Sequence, residues 1–360
     1  MKEATMPDDL EVNAKIEKTI GKTLKNDLFS LLKIKRYKVL ENVTIENLKR
    51  INIFAGINNS GKSTLLEAVY LLIAQNDVDA FFETMRRRGK YCAELNPRWL
   101  MRQFKSPIEI EGIFHDKRAS VRIDEESEEK EEFDKRSYLG TLRVSACFLD
   151  GPLTTKARIY ENSNHELFFK SNKRICNAAF SSPFSMQYKE EMVFYHDKSV
   201  ETRSLDRILD FLRSYVDKGI EKIEYVGESE RFLVTHRDFE QVMDLTQFGE
   251  GVQRAFHITL QFAAARNGVL LIDEFENAIH HALLNNFAAF IHELAEEFNT
   301  QVFITSHSKE CIEAFSAGRI DKKSISAYRL EKKEGGIECK YISGPDLKHL
   351  MDTFGADLRG

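Results

Sequence analysis

Cysteine is scarce in this sequence, and the cysteines it has form no paired motif. The chain of 360 residues contains an odd number of cysteines, five, and none belongs to a Cys-x-x-Cys pair. This usage argues against a disulfide framework and against a zinc site. We therefore expect a chain that works in a reducing, cytoplasmic setting. The five residues are Cys92, Cys147, Cys176, Cys311 and Cys339.

Long apolar runs and an excess of positive charge are also missing. No apolar stretch approaches the roughly 18 residues of a membrane-spanning helix, and the first 12 residues lack the pattern of a secretory signal. The 52 Lys and Arg against 57 Asp and Glu give a net charge of −5. This balance excludes a uniformly cationic nucleic-acid coat but not a local basic patch. We expect a globular protein without a membrane partner, built as two domains or as one large domain with an insertion.

The spacing of apolar residues predicts an α/β fold. Residues 9–32 have helical spacing, and strand-like runs between residues 31 and 55 lead into a glycine-bearing turn and a helix. The middle of the chain is less regular, with predicted strands at 108–114, 120–124, 142–149 and 166–169 and a predicted helix at 205–216. Farther along, predicted helices at 251–266 and 278–298 alternate with predicted strands at 269–272 and 301–305. Such alternation indicates a largely parallel sheet. A hairpin turning at Gly335-Gly336 and a helix from Asp346 complete the prediction.

One segment fits the phosphate-binding loop, or P-loop, pattern G-x-x-x-x-G-K-[ST]. It follows the predicted strand INIFA and precedes a predicted helix, which is the context that the motif requires. Backbone N–H groups of such a loop converge on phosphates, a lysine neutralises β- and γ-phosphate oxygens, and a serine hydroxyl can ligate Mg²⁺. The alternative is an ordinary glycine-rich turn. The predicted nucleotide-binding residues here are Gly56, Asn58, Asn59, Ser60, Gly61, Lys62, Ser63 and Thr64.

Acidic and histidine side chains follow two later predicted strands. Asp273 and Glu274 end the apolar run VLLI, at the strand edge where ligands gather in such sheets. We predict that Ser63 and Asp273 hold Mg²⁺ and that Glu274 is the general base or the residue that orients the attacking water. His307 follows the next strand and is predicted to sense the γ-phosphate. The alternatives are an acid pair that caps the next helix and a structural histidine.

A second glycine-containing turn opens a helix 22 residues before Asp273. It contains Gly249 and Gly251, followed by Gln253. A helix start is an anion-binding element, and one P-loop site does not need two of them in one subunit. An ATP held between two subunits would use both, because the second turn would cover the γ-phosphate from across the interface.

The order of these motifs resembles that of the ABC-type ATPases. More narrowly, the P-loop followed by FGEGVQR, LLIDEFENAIH and FITSHS is similar to the RecF/SMC-like branch and to the ATPase module of the overcoming-lysogenization-defect (OLD) family. The resemblance implies a P-loop NTPase of ABC ATPase head type, with a mostly parallel sheet flanked by helices and an inserted helical/β arm. It assigns Gly249, Gly251 and Gln253 to the signature and His307 to the switch histidine, and it places Asn277 and His280 at a dimer interface. One departure is Phe248-Gly249, where many ABC proteins have a serine.

The resemblance also implies a division of the chain. Residues 1–30 would form an N-terminal helical segment, and 31–76 would form the lobe with the P-loop. Residues 77–243 would form a variable insertion, 244–318 the lobe with the signature, the acidic pair and the switch histidine, and 319–360 a hairpin and helix. Only 53 residues follow His307, which is too few for the Toprim nuclease that OLD-type nucleases append.

The resulting expectation is a Mg²⁺-dependent ATPase subunit resembling those of split anti-phage systems such as Septu and PARIS. ATP would close a head-to-tail homodimer, or a higher homo-oligomer, that controls a separately encoded effector, a nuclease or a toxin. Two alternatives stay open: a nucleotide-gated scaffold with negligible turnover, and a RecF-like DNA-repair ATPase.

A basic stretch with interleaved aromatic residues is the candidate nucleic-acid contact. Such a stretch can grip phosphates, but a solvated helix face or a protein-docking surface is an equal alternative. Gln103 is a candidate glutamine-loop residue by position, although a surface glutamine is the alternative. The basic residues are Arg86, Arg87, Arg88, Lys90, Arg98, Arg102 and Lys105, with Tyr91, Trp99 and Phe104 among them.

Overall fold

The structure, a computed structural model, describes the chain from residue 28 to residue 354 with internal gaps. The described residues are 28–87, 96–102, 104, 106–126, 137–149, 151–161, 165–168, 173–185, 189–227, 230–277, 279–317 and 320–354. Most of the predicted N-terminal helix, Arg88, Lys90, Gln103 and Lys105 lie outside these residues.

A six-stranded sheet forms the centre of the fold. Its order is β16-β15-β3-β14-β13-β9, and every neighbouring pair is parallel except β15 with β16, which form an antiparallel hairpin. The strands β3, β13 and β14 are buried at every residue because both faces of the sheet are covered. The strands are β3 Ile51–Ala55, β9 Ala178–Ser181, β13 Val269–Ile272, β14 Gln301–Ser306, β15 Ile325–Lys333 and β16 Gly336–Ser343.

A seven-stranded antiparallel sheet, ordered β2-β1-β4-β5-β6-β7-β8, packs beside the central sheet. Its strands alternate between more and less buried residues, as β4 does along its whole length, which is the pattern of a sheet with one covered face. The strands are β1 Phe29–Tyr37, β2 Leu40–Glu46, β4 Ile108–Phe114, β5 Lys117–Glu126, β6 Tyr138–Phe148, β7 Gly151–Tyr160 and β8 His165–Phe168. A small antiparallel sheet contains β10 Ile220–Val226, β11 Arg231–His236 and β12 Met243–Asp244.

Helices cover both faces of the central sheet. The first, α1, is buried along almost its whole length and contacts strands of both large sheets. Two apolar cores result: one joins α1 and α2 to the antiparallel sheet, and the other joins the later helices to the opposite face of the central sheet. The helices are α1 Lys62–Ala74, α2 Val78–Arg86, α3 Pro97–Arg102, α4 Lys189–Glu201, α5 Leu205–Tyr215, α6 Glu250–Ala264, α7 His281–Glu297, α8 Lys309–Ser316 and α9 Gly344–Phe354. Short 3₁₀ turns cover Leu245–Gln247 and Lys322–Ser324.

Several sequence predictions need correction at this level. The predicted helix over residues 9–32 is wrong at its end, because Phe29 opens β1 and the alternating burial of that strand outweighs the helical spacing. The strands β7, β9, β10 and β11 were not predicted. The segment 77–243 contributes strands to all three sheets, β9 of the central sheet among them, and the division of the chain into domains stays a prediction. No helix in the described part of the chain is long and apolar enough to cross a membrane.

Candidate nucleotide site

The P-loop connects β3 to α1, as its sequence context predicts. Gly56 and Gly61 have φ of 149° and 90°, which other residues adopt only with strain. A Cβ atom on Gly56 would lie 2.5 Å from the Leu330 carbonyl oxygen, and one on Gly61 would lie 2.7 Å from Leu40 Cδ2. Both glycines are therefore required by backbone conformation and by space.

The start of α1 carries the groups expected to meet phosphate. No side chain caps this helix, and its first turn contains no acid, so its N-terminal N–H groups and dipole favour an anion. Lys62 Nζ donates to the carbonyl oxygens of Gly56 at 2.7 Å and Ile57 at 2.8 Å, which holds the ammonium group over the loop. Burial lowers the pKa of Lys62, against the opposing effect of Asp273, Glu276 and Glu274.

The P-loop serine and the acidic pair meet at the carboxyl edge of the central sheet. Ser63 Oγ donates to Asp273 Oδ1 at 3.0 Å, so the two predicted Mg²⁺ ligands are adjacent. The same carboxylate oxygen accepts from Thr305 Oγ1 at 2.5 Å. The acidic pair does not cap α7, whose N-cap is His280. The alternative interpretation of these acids is therefore wrong.

Glu274 has an unusual backbone conformation and a perturbed carboxyl group. Its φ is 50°, a left-handed conformation that is uncommon for such a residue and that clusters at functional sites. Its N–H donates to Thr305 Oγ1 at 2.9 Å. Burial raises the pKa of Glu274, and the carboxylates of Asp273 and Glu276 add to this effect, while His307 and Lys62 oppose it. A raised carboxyl pKa suits proton transfer near neutral pH.

The predicted switch histidine lies at the end of β14 and is held by Glu276. The backbone N–H of His307 donates to Glu276 Oε1 at 2.8 Å, and its Nδ1 lies 3.1 Å from the same oxygen. The imidazole is about half exposed. Thr305 and Glu276 both shape this edge, and sequence reasoning missed both. Their positions inside FITSHS and DEFE were the available signal.

A cavity of about 260 Å³ opens beside the serine–acid pair. Ser63, Asp273 and Glu274 line it, together with Glu67, Arg87, Phe180 and the loop that follows β9, Ser182–Phe184. This loop was not predicted as part of the site. It lies beside Ser63 and Asp273, the predicted Mg²⁺ ligands. Gln103, the sequence candidate for the glutamine loop, lies outside the described residues.

The predicted signature glycines do not line this cavity. Gly249 is the N-cap of α6, and Gly251 is in its first turn, but neither residue lines the cavity beside Ser63 and Asp273. Gln253 lines a different cavity of about 270 Å³ with Arg231 and Asp244, and its Nε2 donates to the Phe248 carbonyl oxygen at 2.8 Å. Gln253 thus lines a different cavity from the one that Ser63 and Asp273 line.

Among the described residues of the basic stretch, Arg87 does not belong to an exposed patch. Arg87 is only 6% exposed, and its guanidinium group contacts Glu83 and Glu191 and donates to the Phe180 carbonyl oxygen at 3.0 Å. The prediction that Arg87 contacts nucleic acid is therefore wrong, because the side chain is used inside the fold. Arg86 is partly buried, whereas Arg98 is largely exposed and pairs with Glu161.

The residues present fit a nucleotide phosphate chain and a magnesium ion. Ser60 Oγ is buried in the loop without a hydrogen-bond partner in the described part of the chain, and the two glycines leave a cradle that side chains would fill. One hydroxyl and one carboxylate are a typical protein contribution to Mg²⁺, which takes its other ligands from phosphate and water. The described residues contain no cluster of three or more His, Cys, Asp or Glu for a metal bound by protein alone.

A glycine-rich loop between a parallel strand and a buried helix, opposite an acidic strand end, defines the class of P-loop nucleotide-binding proteins. Residues 51–313 match the profile of the family described as "AAA domain, putative AbiEii toxin, Type IV TA system". Because this match covers well over half of the chain, the chain belongs to that family and is a P-loop ATPase. The predicted P-loop NTPase fold, with mixed α/β sheets flanked by helices, is confirmed.

Curated proteins and solved structures share similarity with the chain. It is 24% identical over 319 residues to the "ATP/GTP phosphatase" of Helicobacter pylori, across 78% of this chain and 86% of that protein. It is 31% identical over 114 residues to an uncharacterised protein of Methanocaldococcus jannaschii, across 31% of this chain and 99% of that protein. An SMC head bound to the C-terminal winged-helix domain of ScpA is 12% identical, across 88% and 98% of the two chains, with a TM-score of 0.47. The SMC head domain of Thermotoga maritima is 12% identical, across 88% and 99%, with a TM-score of 0.42.

Proposed function

We propose that the chain hydrolyses ATP with Mg²⁺ at the edge where Ser63 and Asp273 meet. The 3.0 Å hydrogen bond between these two side chains carries the proposal, because it brings together one ligand from the P-loop and one from the acidic strand. Ser63 and Asp273 would hold Mg²⁺ there, and the ion would supply positive charge to stabilise the phosphates during the reaction. Glu274, the next residue, is the group that orients the attacking water.

The remaining residues position the phosphate chain. Backbone N–H groups of the loop from Gly56 to Gly61 and of the start of α1 bind its oxygens, and Lys62 supplies a cation within reach. His307, held by Glu276, would donate to the γ-phosphate. Most of the rate enhancement would come from such positioning and charge stabilisation, as in other phosphoryl-transfer enzymes.

Completion of the site would come from a second copy of the chain. The predicted signature turn at Gly249 and Gly251 opens α6, and neither glycine lines the cavity beside Ser63 and Asp273. A head-to-tail homodimer would place the turn of each subunit over the phosphate chain of its partner. Asn277 and His280, just before α7, would lie at that interface.

The cellular role that we propose is a switch subunit of an anti-phage defence complex. ATP-driven closure and release would control a separately encoded nuclease or toxin. The description of the family, which mentions a toxin and a toxin–antitoxin system, supports a defence role. A nucleotide-gated scaffold is the second candidate, because the signature has Gly249 where many ABC proteins have a serine hydroxyl.

The test is phosphate release from Mg²⁺-ATP by the wild type, Glu274→Gln and Lys62→Ala, each with and without double-stranded DNA. We expect wild-type turnover, a loss of roughly 100-fold or more in Glu274→Gln with ATP still bound, and loss of ATP binding in Lys62→Ala. Retained affinity in Lys62→Ala would contradict the P-loop assignment. ATP binding without turnover in the wild type would favour the scaffold, and strong DNA stimulation would favour a RecF-like repair role.

A further inference from the structure

Arg254 is a buried arginine whose charge the proposed reaction does not use. It lies on α6, one turn beyond the signature turn, and it is only 2% exposed. It is among the largest fully buried side chains of the described residues.

The guanidinium group of Arg254 joins the ends of two neighbouring strands. Nη1 donates to Ser181 Oγ at 2.9 Å and to the Ser182 carbonyl oxygen at 2.7 Å, both at the end of β9. Nη2 donates to the carbonyl oxygen of Asp273 at 2.9 Å, at the end of β13. That carbonyl belongs to the peptide bond between Asp273 and Glu274, so Arg254 contacts the backbone link between the two acids.

Burying the cationic side chain of Arg254 with only these partners is energetically unfavourable. Removing a guanidinium group from water is unfavourable, and an apolar side chain of similar volume often serves as well or better for stability. Among the described residues, Arg254 forms no salt bridge with a carboxylate, and its Nε has no hydrogen-bond partner. Burial lowers the pKa of Arg254 to about 10, so the group stays charged at neutral pH. We infer that the hydrogen bonds of Arg254 fix the ends of β9 and β13 relative to each other.

The three backbone positions that Arg254 connects are those that the proposed reaction depends on. The 273–274 peptide carries the acidic pair, the Ser181–Ser182 segment opens the loop that lines the cavity, and α6 begins at the signature turn. Glu274 also has a left-handed φ, a conformation that persists where surrounding contacts determine it.

We propose that Arg254 is a positioning residue that ties the signature helix to the acidic pair and holds Glu274 in the arrangement needed for hydrolysis. This inference rests on the proposed ATPase site for its effect on turnover, although the mechanical link itself does not require turnover. A shift at the start of α6, caused by contact with a partner's nucleotide, would reach the carboxylates of its own chain through this side chain.

The experiment compares the wild type with Arg254→Met, Arg254→Lys and the control Thr259→Val. Thr259 is buried on the same helix, and the hydrogen bonds of its hydroxyl go to Ala255 and Phe256 of that helix. We expect Arg254→Met to lower kcat roughly 100-fold, the scale of loss from a small misplacement of catalytic groups, with the Kd for Mg²⁺-ATP changed less than about threefold. Arg254→Lys should recover part of kcat, and Thr259→Val should retain wild-type kcat.

Hydrogen exchange of the peptide covering residues 270–277 tests the link independently of turnover. We expect faster exchange there in Arg254→Met than in the wild type or Thr259→Val. Unchanged exchange, an unchanged kcat, or a parallel loss of kcat and ATP affinity with global unfolding would overturn the proposal. If the wild type itself fails to hydrolyse ATP, the proposed function fails, and the exchange result alone decides whether Arg254 couples the helix to the acids.

Discussion

At the scale of single residues, the hydroxyl of Thr305 connects the two acids at the end of β13. It donates to Asp273 Oδ1 and accepts from the N–H of Glu274. The side chain is fully buried, so its loss leaves a carboxylate oxygen and an N–H group short of a partner, at a cost of about 1–3 kcal/mol.

We therefore expect Thr305→Val to lower the free energy of unfolding by about 1–3 kcal/mol and to lower kcat at least tenfold, because Glu274 loses a support of its backbone. Urea unfolding and phosphate release measure the two effects. Thr305→Ser keeps the hydroxyl and serves as the control. Equal kcat in the Val and Ser variants would show that the hydroxyl has no part in positioning Glu274.

The sequence made the P-loop and the acids predictable, but not the residues that hold them. Gly56, Lys62 and Asp273 lie in motifs whose spacing follows from phosphate and metal chemistry. Thr305 and Glu276 act through contacts across 30 or so residues of chain, which only strand order determines. The role of Arg254 was equally invisible, since a charged residue on a helix is normally expected to face solvent.

At the scale of secondary structure elements, strands with a clear pattern of apolar residues were predicted correctly, and strands without one were missed. The alternating strand β4 and the apolar strand β13 were predicted with their observed bounds. The strand β9, with only four residues, AAFS, has too few apolar residues for a period to show. It is defined by parallel pairing with β13, a contact made across about 90 residues of chain.

Arg87 was predicted to lie on an exposed nucleic-acid-binding surface, but it connects secondary structure elements inside the fold. Its guanidinium group joins the end of α2 to Glu191 of α4 and to the loop after β9. Burial acts to lower the pKa of Arg87, but the carboxylates of Glu83 and Glu191 outweigh burial and raise it. The ion pairs of Arg87 with Glu83 and Glu191 are partly shielded from solvent. Removing Arg87 therefore leaves the charges of the two acids poorly compensated.

We expect Arg87→Met to lower the free energy of unfolding by about 3 kcal/mol, the lower end of the range for a broken buried ion pair. The lower end applies because the side chains of Glu83 and Glu191 are 29% and 27% exposed. Arg98→Met is the matched control, since the exposed Arg98–Glu161 pair should contribute less than about 1 kcal/mol. Urea unfolding of both variants measures the difference. Similar losses in the two variants would refute a structural role for Arg87.

At the scale of the whole molecule, the proposed sharing of the nucleotide site between two subunits predicts ATP-dependent dimerisation. Glu274→Gln should accumulate a species with twice the mass of the chain in saturating Mg²⁺-ATP, because closure is retained while hydrolysis is slow. Light scattering coupled to size-exclusion chromatography measures this mass. A monomer under these conditions would contradict a site shared between two subunits.

A substitution at Gly249 can test ATP-dependent dimerisation without disturbing the fold of the monomer. Its φ is −56° and a Cβ atom there would meet nothing within 4 Å, so a side chain is tolerated in the monomer. Asp is also a favourable N-cap residue, and Gly249→Asp should therefore leave the thermal stability of the monomer unchanged or slightly raised.

In the Glu274→Gln background the added carboxylate should abolish the ATP-dependent dimer, since it would face the phosphates of the partner's nucleotide. Gly249→Ser adds a neutral hydroxyl at the same position and should keep the dimer. A dimer that survives Gly249→Asp would place the signature turn outside the interface, even if the chain dimerises by another surface.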